Sequence, residues 1–105
     1  MASSGSLIED NVRTRNVLQT LLDGTPGFRC ASVHPNAENA LPRIRDVQPD
    51  VVVVDLKLPG MTGVECLRQL KAAHSKLELL VLTQFDDTEL IFGALKAGAG
   101  LVTVA

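Results

Sequence analysis

The stretch Val51-Val52-Val53-Val54-Asp55-Leu56 decides the fold class of this sequence. An unbroken β-branched run of this kind is typical of a strand that is buried on both faces of a parallel sheet. Pro49 and Asp50 mark where the strand begins, because both residue types favour turns. Asp55 is the polar residue of the run and lies near its carboxyl end. The stretch therefore predicts a central parallel strand that presents a carboxylate at one edge of the sheet.

Shorter apolar runs alternate with helical periodicity on both sides of this strand. Further strands are predicted at residues 7–8, as the remnant of a first strand, and at residues 28–33, 78–83 and 101–104; helices are predicted at residues 11–23, 37–47, 63–74 and about 90–98. Strands and helices that alternate in this way build βαβ units. We therefore predict an α/β, flavodoxin-like fold: a doubly wound parallel sheet of five strands with helices on both faces and the fifth helix missing.

Length and composition limit the classes of function. The 105 residues suit one domain, and a content of 46% hydrophobic and 21% charged residues is ordinary for a folded chain. Only 3% of the residues are aromatic and the net charge is -2, so direct binding of nucleic acid by this chain is not expected. Neither a signal peptide nor a membrane span is recognisable in the sequence, which predicts a cytoplasmic protein without membrane contact.

The cysteine and histidine residues do not indicate a metal site. Cys30 and Cys66 follow no ligand spacing and are predicted to be reduced thiols that pack as small apolar groups. His34 and His74 have no Cys or acidic neighbour at ligand spacing, so both are predicted to lie at the surface.

Oxygen-bearing side chains do gather at the ends of three predicted strands. Glu9 and Asp10 follow the first strand, Asp55 is the penultimate residue of the third, and Thr83 ends the fourth. Ligand sites in open parallel sheets form at the carboxyl ends of the strands, so these side chains are expected to converge. Carboxylates held close together repel one another, which favours a bound cation, and an all-oxygen set with few protein ligands suits Mg²⁺.

Such a cluster can perform phosphoryl transfer. A carboxylate beside Mg²⁺ can attack phosphorus, because the metal offsets the charge on the transferred group. Asp55 is the predicted nucleophile, since it lies at the mouth of the most central strand, and the product would be an aspartyl phosphate. The alternative interpretation is a set of turn and cap residues at strand ends that has no chemical role.

Several stretches together resemble the receiver domains of two-component response regulators. They are Ile8-Glu9-Asp10-Asn11, Gln48-Pro49-Asp50 running into Val54-Asp55, Leu58-Pro59-Gly60-Met61-Thr62-Gly63, Val81-Leu82-Thr83 and Lys96-Ala97-Gly98-Ala99. The resemblance covers roughly residues 7–99, and the motifs are highly specific in this order and spacing. Residues 82–98 further resemble regulators with a LuxR-type helix-turn-helix output. We interpret residues 1–105 as one receiver domain, truncated at the C-terminus, without its output domain.

This resemblance implies a role for each site residue. Asp55 would be the phosphoacceptor, and Thr83 would contact the phosphoryl group and move when it arrives. Mg²⁺ would be held by Asp10, by Asp55, by the backbone carbonyl of Lys57 and, through water, by Glu9. The resemblance also implies the strand order 2-1-3-4-5, a sensor histidine kinase as donor and an output partner outside this chain. Enzymatic activity beyond autophosphorylation and autodephosphorylation is not implied.

Two parts that couple phosphate to signalling in the family are absent from this sequence. The family has a lysine just after the fifth strand and an aromatic residue within it, but these positions fall on Ala105 and Val102, or on Val104 and Leu101 with a one-residue gap. A degenerate, non-switching receiver that acts as a protein-interaction module is therefore a second hypothesis. A third, a small enzyme that binds a nucleotide or phosphosugar, is disfavoured because no Gly-rich phosphate loop follows the first strand.

The first strand and the missing helix suggest self-association. Ser4, Gly5 and Ser6 stand where the family has branched apolar residues, so the first strand is predicted to be thin. Without a fifth helix, an apolar strip of the sheet would be exposed beside the first helix, and such strips favour association. We therefore predict a homo-oligomer that forms through the exposed sheet face.

Overall fold

The computed structural model describes residues 3–83 and 88–104, without the side chains of Thr83, Thr88, Leu90 and residues 101–104. Nine elements alternate within these residues: β1 (Ser3–Ile8), α1 (Val12–Asp23), β2 (Phe28–His34), α2 (Ala37–Val47), β3 (Val51–Asp55), α3 (Gly63–Ala73), β4 (Glu78–Thr83), α4 (Thr88–Lys96) and β5 (Leu101–Val104). None of the helices in these ranges is long and apolar enough to cross a membrane.

The five strands form one parallel sheet in the order β2-β1-β3-β4-β5. In the middle of the sheet Val54 of β3 lies beside Ile8 of β1 and Val81 of β4. The predicted α/β class, the strand order and the central position of β3 are confirmed, and the described ranges contain four helices and no fifth. Because the strands are parallel, all five carboxyl ends lie at one edge of the sheet.

The main core lies between the sheet and helices α2, α3 and α4. It consists of aliphatic side chains, since the chain has three Phe residues and no Trp or Tyr. Its members are Ile8, Val52, Val54, Leu56, Leu79 and Val81 from the sheet side, Ala37, Ala40, Ile44, Cys66, Leu67, Leu70 and Ala94 from the helices, and Leu58, Leu77 and Ala99 from the connecting segments. Cys66 is buried here as predicted, whereas Cys30 is half-buried, and both are free thiols.

Strand β1 is longer than the predicted two-residue remnant. Residues Ser3–Ile8 all belong to it, and the strand pairs with both β2 and β3. Ser6 is fully buried, and its hydroxyl lies 2.6 Å from the hydroxyl of Ser32 on β2. The serine therefore replaces an apolar contact with a cross-strand hydrogen bond, and this pairing allows a polar sequence to form a central strand.

The prediction that His34 lies at the surface is wrong. Its side chain is 3% exposed, at the end of β2 and against α2. Nδ1 lies 2.7 Å from Oδ1 of Asn39, and Nε2 lies 2.9 Å from the hydroxyl of Ser32. With the Asn39 oxygen as acceptor, Nδ1 carries the proton and Nε2 accepts from Ser32. The ring can be buried because both of its nitrogens have partners, which sequence spacing does not reveal.

Helix α1 exposes apolar side chains, as the prediction of an uncovered strip requires. Val17 is 54% exposed and Leu21 is 61% exposed, four residues apart on the same side of the helix. None of the α1 residues is buried. On the nearby sheet, Leu80 and Leu82 are only half-buried. Whether a second copy of the chain covers this strip stays a prediction.

Candidate functional site

The predicted acidic residues meet at the carboxyl ends of β1 and β3. Glu9 and Asp10 directly follow Ile8, and Asp55 is the last residue of β3. One carboxylate oxygen from each of these three residues lies within 4.8 Å of the other two. The convergence follows from the register, because the residues before Glu9 and Asp55 are neighbours in the sheet.

The three carboxylates differ in their access to solvent. Glu9 is 6% exposed, Asp55 is half-buried and Asp10 is exposed. The cluster therefore has a buried floor at Glu9 and opens to solvent on the side of Asp10. A ligand that enters would meet Asp10 first.

Glu9 carries the strongest electrostatic signal of the site. Burial, followed by the hydrogen bond to and charge of Asp55 and then those of Asp10, raises the pKa of Glu9 to about 8. Its buried Oε2 atom has no hydrogen-bond partner among the described residues. An unpartnered buried carboxylate oxygen beside two further carboxylates fits a cation, which would offset the charge and satisfy the oxygen.

The turn that carries Glu9 and Asp10 is held from two directions. The N–H of Glu9 donates to the carbonyl of His34, with an N···O distance of 3.0 Å. Arg15 of α1 reaches back and donates from Nη1 to the carbonyl of Glu9 over 2.9 Å. Asn11 then caps α1 by accepting from the N–H of Thr14 over 2.9 Å. These bonds fix the direction in which the acidic pair leaves the sheet.

Asp55 is oriented by the loop that follows it. The N–H of Lys57 donates to Oδ1 of Asp55 over 3.0 Å, which restrains rotation of the carboxylate. Leu56 and Leu58 are buried on either side of the exposed Lys57. Their burial holds the backbone of Lys57 beside the acidic cluster.

The same loop ends at a glycine that allows close approach. A Cβ atom on Gly63 would lie 2.6 Å from the carbonyl oxygen of Asp55, so no larger residue fits there without movement of the backbone. The N–H of Gly63 donates to the carbonyl of Leu56 over 3.2 Å. Thr62 caps α3 by accepting from the N–H of Glu65 over 3.2 Å. Helix α3 thus starts directly against the backbone of the predicted phosphoacceptor.

The sequence of this chain is similar to that of a known domain family. It matches the response regulator receiver domain over residues 6–102. The chain belongs to this family. The resemblance inferred from the sequence motifs is therefore confirmed.

Curated relatives of this receiver domain are longer proteins with several kinds of name. The protein-glutamate methylesterase/protein-glutamine glutaminase of Treponema denticola is 33% identical over 95 residues, which are 89% of this chain and 26% of that protein. The transcriptional regulatory protein ZraR of Salmonella typhimurium is 32% identical over 93 residues, which are 89% of this chain and 21% of that protein. The chain thus spans about a quarter or less of these relatives.

Solved receiver domains share the fold. A LuxR-family two-component response regulator from Aurantimonas sp. superimposes with a TM-score of 0.92 and 26% identity, over 99% of this chain and 74% of that one. The response regulator domain of Thermotoga maritima CheB gives a TM-score of 0.91 at 18% identity, over 99% of this chain and 78% of that one. The LuxR-family neighbour agrees with the resemblance seen in residues 82–98.

The structure brings most of the predicted site residues of this receiver domain together. Glu9, Asp10 and Asp55 form the cluster, and Lys57 lies in the loop beside it. Thr83 ends β4 as predicted, but its side chain lies outside the described part of the chain. The role of each residue stays a prediction.

Sequence reasoning missed two side chains that hold the loops of the receiver domain. Arg15 bonds the carbonyl of Glu9, and Glu38 of α2 accepts from the N–H of Met61 over 3.1 Å. Arg15 acts on a backbone group six positions away and Glu38 on one 23 positions away. An Arg in the first helix and a Glu in the second carry no spacing that would have singled them out.

Proposed function

We propose that Asp55 accepts a phosphoryl group with the aid of Mg²⁺ and that this domain relays its state to an output partner in the cytoplasm. The observation that carries the proposal is the cluster of Glu9, Asp10 and Asp55, in which one carboxylate oxygen of each residue lies within 4.8 Å of the other two. Membership of the receiver family supports the assignment of Asp55 as the acceptor.

The chemistry of the donor set fits Mg²⁺. Asp10 and Asp55 would bind it directly, together with the backbone carbonyl of Lys57, and Glu9 would act through water. These ligands are all oxygens, which Mg²⁺ prefers, and a site with so few protein ligands leaves room for water and phosphate. When bound, the ion would supply positive charge that offsets the carboxylates and the phosphoryl oxygens.

The transfer step itself needs an ionised, oriented carboxylate. One oxygen of Asp55 forms a bond to phosphorus while the bond from phosphorus to the donor breaks, and the leaving group departs with that electron pair. The N–H of Lys57 restrains the Asp55 carboxylate through Oδ1. Thr83, at the end of the neighbouring strand β4, would contact the transferred group through its hydroxyl.

The partners follow from this chemistry. A sensor histidine kinase, or a small phosphorylated donor, would supply the phosphoryl group. The output would lie in a separate domain, and relatives with the name of transcriptional regulatory proteins support transcription as one outcome. This domain would act as a phosphoacceptor and not as an enzyme with a diffusible substrate of its own.

A non-switching interaction module is the second candidate, and one observation favours it. In the sheet, Thr83 of β4 lies beside Val104 of β5, and Ala105 follows. The residues of β5 are Leu101, Val102, Thr103 and Val104, so the strand provides neither an ammonium group nor an aromatic ring near Thr83. A charge-assisted contact between a lysine and the phosphoryl group would therefore be lacking at this position.

Phosphate uptake separates these candidates. The folded protein is incubated with Mg²⁺ and acetyl phosphate, intact mass is recorded, and backbone NMR spectra are compared with those of Asp55→Asn. The matched control is Asp46→Asn, which also removes one carboxylate but at an exposed position near the C-terminal end of α2.

The expected result is uptake of one phosphoryl group by the wild type and by Asp46→Asn, and none by Asp55→Asn. Spectral changes that extend from the cluster to α4 would support a switch. Uptake with changes confined to the cluster would support the non-switching module. Absence of uptake by the folded wild-type protein would overturn the proposed function.

A further inference from the structure

Glu38 contacts the loop that follows Asp55, although the two residues lie on different elements. Oε2 of Glu38 accepts from the N–H of Met61 over 3.1 Å, across 23 positions of sequence. The same oxygen lies against Gly60, where any Cβ atom would overlap with it. Gly60 also has a φ of +72°, which favours glycine. The loop therefore passes directly beneath the Glu38 carboxylate.

The two ends of this loop are fixed by other contacts. At its start, the N–H of Leu56 donates to the carbonyl of Leu82 over 3.1 Å. At its end, the N–H of Gly63 donates to the carbonyl of Leu56 over 3.2 Å. Between these points Pro59 and Gly60 are exposed, and Pro59 has no N–H to donate. The bond from Glu38 holds the middle of the loop from outside it.

Glu38 is carried by a firmly anchored turn of helix. It lies in the first turn of α2, between Ala37 and Ala40, which are both fully buried. Asn36 caps this turn by accepting from the N–H of Asn39 over 2.7 Å. The side chain of Asn39 in turn lies 2.7 Å from Nδ1 of the buried His34. These contacts fix the first turn of α2, which carries the Glu38 carboxylate, against β2.

The charge of Glu38 also affects the thiol of Cys66 on α3. Burial and then the negative charge of Glu38 raise the pKa of the Cys66 thiol to about 12. This effect agrees with a carboxylate that lies between α2 and the start of α3. A carboxylate near a helix N-terminus is also favoured by the helix dipole.

We propose that Glu38 is a positioning residue for the phosphoacceptor loop. By holding the N–H of Met61, it fixes the loop whose Lys57 N–H orients Asp55. Under the proposed function, the Lys57 carbonyl of the same loop would bind Mg²⁺. The inference rests on the proposed function of Asp55, and it assigns to α2 a direct part in setting the geometry of the site. Glu38 does not touch the metal or the phosphoryl group.

The size of the effect follows from the kind of bond. A hydrogen bond from a backbone N–H to a carboxylate is stronger than one between neutral groups. Glu38→Ala should therefore weaken Mg²⁺ binding about three- to tenfold, and Glu38→Gln, which keeps an acceptor oxygen, should weaken it no more than about twofold.

The test compares wild type, Glu38→Ala, Glu38→Gln and the control Asp46→Ala, which removes an exposed carboxylate from the same helix. Mg²⁺ affinity is measured by calorimetry, and amide exchange of Met61 is measured by NMR without metal. The rate of phosphorylation by acetyl phosphate is recorded as a function of Mg²⁺ concentration. Thermal unfolding verifies that each variant is folded.

The expected result has three parts. In Glu38→Ala the Met61 amide exchanges faster, the Mg²⁺ concentration for half-maximal rate rises, and saturating Mg²⁺ restores most of the maximal rate. Glu38→Gln recovers most of the affinity, and Asp46→Ala matches the wild type. A general loss of stability would not give this separation between Mg²⁺ requirement and maximal rate.

Failure of the inference and failure of the proposed function give different results. If Glu38→Ala binds Mg²⁺ and is phosphorylated like the wild type, the positioning role is overturned while the function of Asp55 stands. If the wild type itself neither binds Mg²⁺ nor takes up phosphate, both are overturned.

Discussion

Glu9 and Asp55 follow two residues, Ile8 and Val54, that lie side by side in neighbouring parallel strands. This register brings their carboxylates together and buries Glu9 while Asp55 keeps partial access to solvent. The pair explains why the pKa of Glu9 is raised to about 8 by burial and by Asp55. It also makes the stability of the metal-free protein sensitive to pH.

Glu9→Gln should remove this sensitivity. The pKa of Glu9 is raised from 4.5 in the unfolded chain to about 8 in the folded state. Between these two pH values the folded protein keeps a proton on Glu9 that the unfolded chain has already lost. Folding stability without metal should therefore decrease as pH rises from about 5 to about 8. In Glu9→Gln the decrease should be smaller, as measured by urea unfolding with circular dichroism.

Bound Mg²⁺ should stabilise the wild type more than it stabilises Glu9→Gln. At about 100 times its Kd, a ligand specific for the folded state stabilises it by about 2.7 kcal/mol. The wild type should gain this stability at pH 8, whereas Glu9→Gln should gain less because its side chain carries no charge to attract the ion. Equal gains in both proteins would contradict a role for Glu9 near the metal.

His34 should give a pH dependence of the opposite sign. Burial lowers the pKa of His34; the hydrogen bond to Asn39 opposes this in part, and the charge of Arg43 adds a smaller lowering. As pH falls, the unfolded chain therefore binds a proton at a higher pH than the folded state does. The free energy of unfolding should decrease as pH drops below about 6.5.

The matched variant for this prediction is His34→Gln, which can keep hydrogen bonds to Ser32 and Asn39. Its free energy of unfolding should change less between pH 7 and the acid end of the range where the protein stays folded. A wild-type curve that is as flat as that of the variant would show that the buried ring does not carry the effect.

Replacement by alanine should change the stability of the protein in opposite directions at two glycines. Gly63→Ala places a methyl group 2.6 Å from the carbonyl oxygen of Asp55, which should cost about 1–3 kcal/mol of stability and displace the acceptor. Gly93→Ala, within α4, meets only Val64 methyl groups at 3.5 Å or more and should stabilise by about 0.5–1 kcal/mol. Denaturant unfolding measures both, and equal effects would show that the close approach at Gly63 is not limiting.

The exposed face of α1 should drive self-association. Val17 and Leu21 are 54% and 61% exposed, and a second copy of the chain would remove both from water. Light scattering should show a mass that rises with concentration in the wild type. Leu21→Glu should shift the protein toward the monomer, whereas a constant monomer mass for the wild type would contradict the prediction.

The sequence predicted the alternation of strands and helices and the residues that lie at the strand ends. The β-branched run 51–54 is typical of a strand at the centre of a parallel sheet, and in such a strand Asp55 lies at the carboxyl edge of the sheet. Glu9 and Asp10 follow from the same rule once β1 is recognised. The length of β1 could not be predicted, because it depends on a hydrogen bond between Ser6 and Ser32, which are 26 positions apart. The burial of His34 could not be predicted either, because it depends on how β2 and α2 direct the side chains of Ser32 and Asn39 toward the ring.

Sequence alone determined the class of fold, the position of β3 and the identity of the acidic cluster, because apolar periodicity and strand ends are local properties. Only the tertiary structure decided which side chains hold that cluster in place. Arg15 on Glu9 and Glu38 on Met61 join groups that neither periodicity nor spacing relates. Their bonds form because packing of α1 and α2 places each side chain against a backbone group of another element or loop, and this proximity exists only once the chain has folded.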